Sequence, residues 1–102
     1  MKTIHMHLTF KWYDLIDCSY KTHEYRLVDK WKARLNGVKR GDFIVFHRGY
    51  TDRQIRCEIT DIRITPGWLL PKEEYEFFGG RNEPLFYDIE FKKKIDNTNK
   101  VC

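Results

Sequence analysis

Three charged side chains, Lys21, Glu24 and Arg26, lie at a spacing that could form one ligand-binding site. If residues 22–27 form a strand, the alternation of side chains places Glu24 and Arg26 on the same face. Lys21 stands at the start of that strand and can turn toward the same face. Two donors and an acceptor that converge in this way suit a planar, polar or anionic ligand such as a nucleobase with its phosphate.

The same three residues could instead form a structural ion pair on an exposed strand face, which contributes little to stability. Catalysis makes a further demand, because a lysine must lose its proton before it can act as a base or a nucleophile. A neighbouring carboxylate favours the charged ammonium. Because Glu24 lies three residues from Lys21, we expect Lys21 to grip a ligand as a charged donor rather than to act as a neutral base.

The hydrophobic pattern around these residues predicts five strands and three short helices. Strands are indicated by period-two alternation or by an unbroken apolar run, and helices by apolar residues three or four positions apart. The predicted strands are residues 3–10, 22–28, 43–46, 54–65 and 85–92. The predicted helices are residues 11–20, 30–36 and 71–78. The first helix leads directly to Lys21, so this helix and the strand after it position the three charged residues.

The long strand at residues 54–65 contains a break in its pattern. Its inward apolar side chains occupy odd positions as far as Ile59 and even positions from Ile62 onward. A slip of one residue predicts a β-bulge, which can bend a strand around a barrel. We therefore predict an α+β fold that is mainly β, a small closed or partly closed β-barrel of about five strands with two or three short helices.

The composition indicates one compact domain. A chain of 102 residues can bury one core, and 41% of its residues are hydrophobic and 16% aromatic. We predict a domain at residues 1–92 and a polar, disordered tail at residues 93–102. No apolar stretch approaches the ~20 residues of a membrane span, and the N-terminus lacks the features of a signal peptide. We therefore expect a cytoplasmic protein without a membrane partner.

The sequence predicts neither a metal site nor a cofactor. Its cysteines, Cys18, Cys57 and Cys102, are scattered and odd in number, and we expect the first two to be small buried hydrophobic residues. His5 and His7 share one face of a strand, but no third ligand is evident, and a zinc site needs three or four. No glycine-rich phosphate loop or Ser/His/Asp arrangement is present.

Basic residues interleaved with aromatic rings favour nucleic acid as the partner, and the net charge of +4 agrees with an anionic one. These residues are Lys30, Trp31, Lys32 and Arg34, then Lys39 and Arg40, then Arg48, Tyr50 and Arg53, and finally Trp68. From this set we predict that Arg48, Tyr50 and Trp68 bind ligand, together with Thr22. Cations can hold phosphates and flat rings can stack on bases, whereas the alternative is that Trp31 and Trp68 cover the core and the cations only solvate the surface.

On these residues the sequence resembles the ASCH domains, small relatives of the PUA-type RNA-binding barrels. Their motif, Gly-x-Lys-x-x-Glu-x-Arg, lies between the first helix and the second strand, and Lys21, Glu24 and Arg26 stand at its charged positions. Residues 38–46 are similar to the Gly-Asp turn and apolar strand that follow it. Residues 86–91 are similar to the aromatic-rich closing strand of the family. The resemblance implies a PUA-like barrel.

The chain departs from the family pattern at two positions. Ser19 replaces the motif's glycine, so we expect the helix to end without a left-handed residue there. Some family members are amidohydrolases that remove the acyl group of an N4-acylated cytidine with a Lys, a Thr and a Glu. Their Thr occupies the position of Glu24, so only Lys21 matches that triad. Candidates for the remaining carboxylate are Glu73, Glu74 and Glu76, among which spacing does not select.

The resemblance implies a cleft that binds RNA or a modified nucleoside or nucleobase, and this is our primary hypothesis. Lys21 and Arg26 would hold phosphate or base carbonyl oxygens, and Glu24 would accept from an exocyclic amine or orient Arg26. The first alternative is an amidohydrolase acting on N4-acetylcytidine-type nucleosides, with Lys21 and Glu24 as catalytic residues. The second alternative is a protein-interaction adaptor. The ligand's identity and the oligomeric state remain open.

Overall fold

The computed structural model describes residues 1–94, which form a five-stranded mixed sheet with three α-helices and a short 3₁₀ turn. The strands are β1 (Thr3–Leu8), β2 (His23–Leu27), β3 (Phe43–Arg48), β4 (Gln54–Pro66) and β5 (Leu85–Lys93). The helices are α1 (Phe10–Asp17), α2 (Val28–Leu35) and α3 (Lys72–Phe77), and the 3₁₀ turn is Gly67–Leu69. The predicted α+β fold, mainly strands, is confirmed.

The boundaries of the elements differ from the prediction mainly where one element runs directly into the next. The helix α2 begins at Val28, two residues earlier than predicted, because β2 ends at Leu27 without an intervening loop. The strand β5 continues through Lys93, the first residue of the predicted tail. The rest of that tail beyond residue 94 lies outside the described residues. Within residues 1–94, no helix has the length and apolar character needed to cross a membrane.

The order of the strands places the first two strands of the sequence at the two edges of the sheet. The order is β1-β3-β4-β5-β2, with β1 and β3 parallel and the remaining neighbours antiparallel. The register of β4 against β5 shifts between Ile59 and Asp61, which confirms the predicted bulge. The sheet curls into a half-barrel, so the barrel is open and its edges are the strands β1 and β2.

Two apolar clusters hold the sheet and the helices together. The larger one lies inside the curl, and its fully buried members include Met6, Ile16, Ile44, Phe46, Ile59 and Ile89. The smaller one joins Tyr25 of β2 to Leu70 and Phe86, and Tyr75 and Phe78 pack against it. Because Tyr75 belongs to α3, the smaller cluster holds α3 against β2. This packing brings α3 to the strand that carries the motif.

The Gly41-Asp42 turn, part of the sequence resemblance, has a structural role. The carboxylate of Asp42 accepts hydrogen bonds from the backbone N–H groups of Lys2 and Lys39, both at 3.0 Å. These bonds, that from Lys2 first, lower the pKa of Asp42. Gly41 has φ +93°, and its N–H donates to the carbonyl oxygen of Ile59. The turn therefore ties the start of β1 and the approach to β3 to the bulged strand β4.

The cysteines Cys57 and Cys18 differ in burial and in bonding. Cys57 is buried and free, as expected of a small hydrophobic residue, and burial raises the pKa of its thiol to about 12. Cys18 is only partly buried and is disulfide-bonded, so the expectation of a buried thiol is wrong there. Cys102 lies outside the described residues.

Candidate ligand-binding site

A cavity of about 350 Å³ lies between the two edges of the sheet. Its lining includes residues of both edge strands and of all three α-helices. The Phe, Tyr and Trp side chains of the lining are Trp12, Tyr25, Trp31, Phe77 and Phe78. The charged side chains of the lining are Lys21, Glu24, Arg26, Lys30 and Glu74. A concave site with flat apolar walls and a few convergent polar groups is the common form of a small-molecule site.

The exit of α1 directs Lys21 into this cavity. Ser19 adopts φ +63°, so the expectation that this exit avoids a left-handed residue is wrong. The N–H of Ser19 donates to Ile16 O and that of Tyr20 to Leu15 O, the two hydrogen bonds of a Schellman motif. Reversing the chain after α1 requires a positive φ, and serine takes it although glycine would do so with less strain.

One buried carboxylate joins the cations of the motif. Oε1 of Glu24 lies 3.3 Å from Nζ of Lys21, and its Oε2 accepts from Nη2 and Nε of Arg26 at 2.7 and 2.9 Å. The side chain of Glu24 is only 8% exposed and that of Lys21 only 9%. The structure thus brings Lys21, Glu24 and Arg26 together in one concavity rather than on an open strand face.

A second carboxylate, Glu74 of α3, completes the surroundings of the lysine. Its Oε1 lies 3.1 Å from Nζ of Lys21, and its side chain is 13% exposed. Spacing did not select among the three glutamates of α3, because the approach of this helix depends on tertiary packing more than fifty positions from Lys21. Glu73 instead pairs with Lys11 at the surface, and Glu76 does not line the cavity.

Aromatic rings also lie against the two cations of the motif, Lys21 and Arg26. Nζ of Lys21 lies 4.8 Å from the ring centroid of Trp12 and 5.6 Å from that of Tyr25. The guanidinium of Arg26 lies 4.9 Å from the ring of Trp31. Cations at such distances are attracted by the negative faces of the rings. Burial first, and then nearby carboxylates, raise the pKa of Tyr25 to about 12, so its hydroxyl stays protonated at neutral pH.

The two cations and two carboxylates just described form the floor of the cavity, and their charges balance. Lys21 and Arg26 face Glu24 and Glu74, so an anion placed there would meet two carboxylates within a buried site. A neutral group with donors and acceptors is a better match. Lys30 lines the cavity from an exposed position and has no ion pair with any residue in the described part of the chain. It is therefore the cation best placed to meet a phosphate.

Two of the remaining predicted site residues, Thr22 and Arg48, lie away from the cavity lining. Arg48 binds Asp14 through Nε and Nη2 at 2.9 and 3.1 Å and lies over the ring of Phe10. This hydrogen bonding raises the pKa of Arg48 and lowers that of Asp14. Thr22 is exposed, and its carbonyl oxygen accepts from the N–H of Phe91. Both residues make structural contacts, and their ligand-binding role stays a prediction.

The two predicted aromatic site residues also lie outside the lining. Trp68 is exposed on the 3₁₀ turn, so it does not cover the core. Tyr50 lies in the β3–β4 turn and stacks on His7, which does line the cavity. Tyr50 is therefore adjacent to the cavity through His7.

The histidines have a neighbour that the sequence pattern did not indicate. His47 of β3 is paired in register with His7, and its Nε2 lies 2.9 Å from Nδ1 of His5. Three imidazoles therefore lie together, although no group of His, Cys, Asp and Glu within residues 1–94 forms a metal-binding arrangement. A parallel β1–β3 pair could not be inferred from two separate histidine positions.

Replacing Ser19 by glycine tests the strain at the exit of α1. A left-handed conformation costs an L-residue about 1–2 kcal/mol, and the greater freedom of glycine in the unfolded chain offsets part of the gain. We expect Ser19→Gly to raise the free energy of unfolding by about 0.5–1 kcal/mol in urea denaturation. Asn36→Gly is the control. Asn36 is exposed with φ −61°, so glycine relieves no strain there and this variant should be less stable than the wild type. A loss of equal size in both variants would contradict the interpretation.

Removing the shared carboxylate tests the ion network. Glu24→Gln leaves Arg26 without its carboxylate and Lys21 with Glu74 alone, and breaking a buried pair in this way costs about 3 kcal/mol or more. Glu73→Gln is the control, because Glu73 belongs to an exposed pair with Lys11 that is worth about 1 kcal/mol or less. Urea denaturation of both variants gives the comparison. Similar losses of unfolding free energy in the two variants would show that the ion pairs of Glu24 contribute no more than an exposed ion pair does.

Comparisons with known proteins address the fold. No family model matches the chain, and no curated protein matches it. An ASCH domain from Lactobacillus crispatus matches with a TM-score of 0.67 at 13% identity, over 90% of this chain and 79% of that one. Protein EF3133 of Enterococcus faecalis, a DUF984 protein, matches with a TM-score of 0.70 at 13% identity, over 92% and 76%. The hypothetical protein PH0355 matches with a TM-score of 0.59 at 20% identity, over 90% and 99%. The chain therefore has an ASCH-like fold.

Proposed function

We propose that this protein binds a nucleobase, carried by RNA or by a modified nucleoside, in the cavity between β1 and β2. The observation that supports the proposal is the convergence of Lys21, Glu24 and Arg26 on the floor of a cavity with aromatic walls. A base is flat, its edges carry hydrogen-bond donors and acceptors, and its faces stack on rings. The faces of a base therefore match the aromatic walls of the cavity, and its edges match the charged floor.

The hydrogen-bonding capacity of the floor leaves room for a ligand. The ammonium of Lys21 has three N–H donors, of which one donates to Oε1 of Glu74 at 3.1 Å, while Oε1 of Glu24 forms an ion pair with the ammonium at 3.3 Å. At least one donor is therefore left for a carbonyl oxygen of a base. Oε2 of Glu24 already accepts from Nε and Nη2 of Arg26, but Oε1, which is in an ion pair with Lys21, can also accept a hydrogen bond from an exocyclic amine. A base with one carbonyl and one amine, as in cytosine, satisfies both groups.

The charge balance of the floor decides the orientation of a nucleotide. The phosphate would be repelled by Glu24 and Glu74, so Lys21 and Arg26 serve base carbonyl oxygens rather than phosphate. The phosphate instead faces solvent at the exposed rim, near Lys30. A cytoplasmic location, where RNA and nucleosides occur, belongs to the same proposal.

Amidohydrolysis of N4-acetylcytidine-type nucleosides is the second candidate, and the position of Glu74 favours it. Lys21 and Glu74 form an adjacent amine and carboxylate inside the cavity. Against it, two carboxylates within 3.3 Å complement a charged ammonium, which donates hydrogen bonds and cannot attack a carbonyl carbon. Glu24 also supplies no hydroxyl where the amidohydrolases of the family have a threonine. We therefore propose binding without hydrolysis. A protein-interaction adaptor remains an alternative that no contact of the described residues favours.

Calorimetric titration with cytidine and N4-acetylcytidine tests the proposal. We expect Lys21→Met to lose about tenfold or more in affinity, since a hydrogen bond to a charged group is worth about 1.5–3 kcal/mol. Lys72→Met is the matched control, because Lys72 is exposed on α3 outside the cavity lining and should bind as the wild type does. Far-UV circular dichroism of each variant checks that the fold is retained.

The same mixtures, separated by chromatography, distinguish the two candidates. We expect N4-acetylcytidine to be recovered unchanged. Release of cytidine by the wild type, lost in Lys21→Met and kept in Lys72→Met, would replace binding by amidohydrolysis. Equal affinities of the Lys21→Met and Lys72→Met variants for both nucleosides would contradict the proposed cavity.

A further inference from the structure

Four rings form a continuous series beside the cavity, in the order His5, His47, His7 and Tyr50, in which the first contact is tilted and the other two are stacked. Their centroids are separated by 5.1, 4.8 and 4.8 Å along that order, and successive planes are inclined by 30°, 23° and 27°. The stack combines side chains of the edge strand β1, of β3 and of the turn after β3. We call these four residues the ring stack.

Hydrogen bonds fix His7 and the backbone of the turn that carries Tyr50. Nδ1 of His7 lies 2.7 Å from the carbonyl oxygen of Gly49, and the N–H of Gly49 donates to Leu8 O at 2.8 Å. The hydroxyl of Thr51 donates to Arg48 O at 2.6 Å and closes the turn that carries Tyr50. Tyr50 is nevertheless 93% exposed. An exposed ring that is already positioned loses little conformational freedom when it binds a partner.

The ring stack is connected to the cavity through His7. His7 lines the cavity and also packs against one face of Tyr50. The other face of Tyr50 has no ring against it within the described residues. Burial, and then His7 and His5, lower the pKa of His47 below its usual 6.5, so its ring is neutral at pH 7. His47 therefore contributes a flat ring without charge to the stack.

We propose that the outer face of Tyr50 is a second subsite, which stacks on a further base of the strand whose first base occupies the cavity. The ligand is then a short single-stranded RNA rather than a free nucleoside. This inference rests on the proposed function. Stacking on an aromatic side chain suits any base, because every base has a π-face, so the subsite adds affinity without sequence preference.

Fluorescence anisotropy with a labelled four-nucleotide RNA tests the inference. We expect Tyr50→Ala to weaken binding by about tenfold or more and to leave the salt dependence unchanged, since stacking releases no counterions. Tyr50→Phe should bind as the wild type does, because the ring is kept. Trp68→Ala is the control, an exposed ring outside the cavity lining that should not affect binding. Tyr50→Ala should also leave the affinity for cytidine unchanged.

The outcomes of these measurements distinguish the second subsite at Tyr50 from the proposed nucleobase site in the cavity. Equal affinity of the wild type and Tyr50→Ala for the four-nucleotide RNA overturns the second subsite. A Tyr50→Ala variant that loses affinity for cytidine to the same extent also overturns it, because Tyr50 would then belong to the cavity. Equal affinity of the wild type and Lys21→Met for the RNA overturns the proposed cavity instead.

Discussion

A lysine ammonium that is 9% exposed, among aromatic rings, requires negative charge beside it, and the site is built around that requirement. Glu24 supplies one carboxylate from the neighbouring strand, and Glu74 supplies the other from a helix more than fifty residues away. The second contact exists only because the cluster around Tyr25 and Phe86 holds α3 against β2. The cavity and its electrostatic compensation therefore both depend on the packing of α3 against β2.

The pairing of these charges limits the kinds of ligand that the site can bind. With two cations and two carboxylates on the floor, the cavity suits a neutral ligand with donors and acceptors, and in the proposed complex the phosphate lies at the rim. The same two carboxylates keep Lys21 as a donor, which disfavours nucleophilic chemistry. The ring stack and Lys30 extend the site outward, with flat faces in one part and a positive charge in the other. A strand of RNA presents features of both kinds, since its bases are flat and its backbone is anionic.

Much of the fold could be predicted from the sequence, because alternation along residues 3–10 and 85–92 and the slip after Ile59 are local signals of strands and of a bulge. The convergence of Glu24 and Arg26 was likewise contained in their spacing. Other features depend on tertiary structure that no local pattern encodes. The choice of Glu74 over Glu73 follows from the rotation of α3 against β2, and the meeting of His47 with His7 follows from parallel pairing. Ser19 shows the reverse case, since the Schellman motif imposes a left-handed residue that its amino-acid type did not suggest.

The three tryptophans permit a direct measurement of where a ligand binds. Trp12 and Trp31 line the cavity, whereas Trp68 is exposed outside the lining, so their indole N–H signals in a ¹⁵N-correlated spectrum act as reporters within one sample. On titration with cytidine, the account predicts that the signals of Trp12 and Trp31 shift in a saturable way while that of Trp68 stays constant. A saturable shift of Trp68 alone, or no shift of any indole at millimolar cytidine, would contradict a nucleobase site in this cavity.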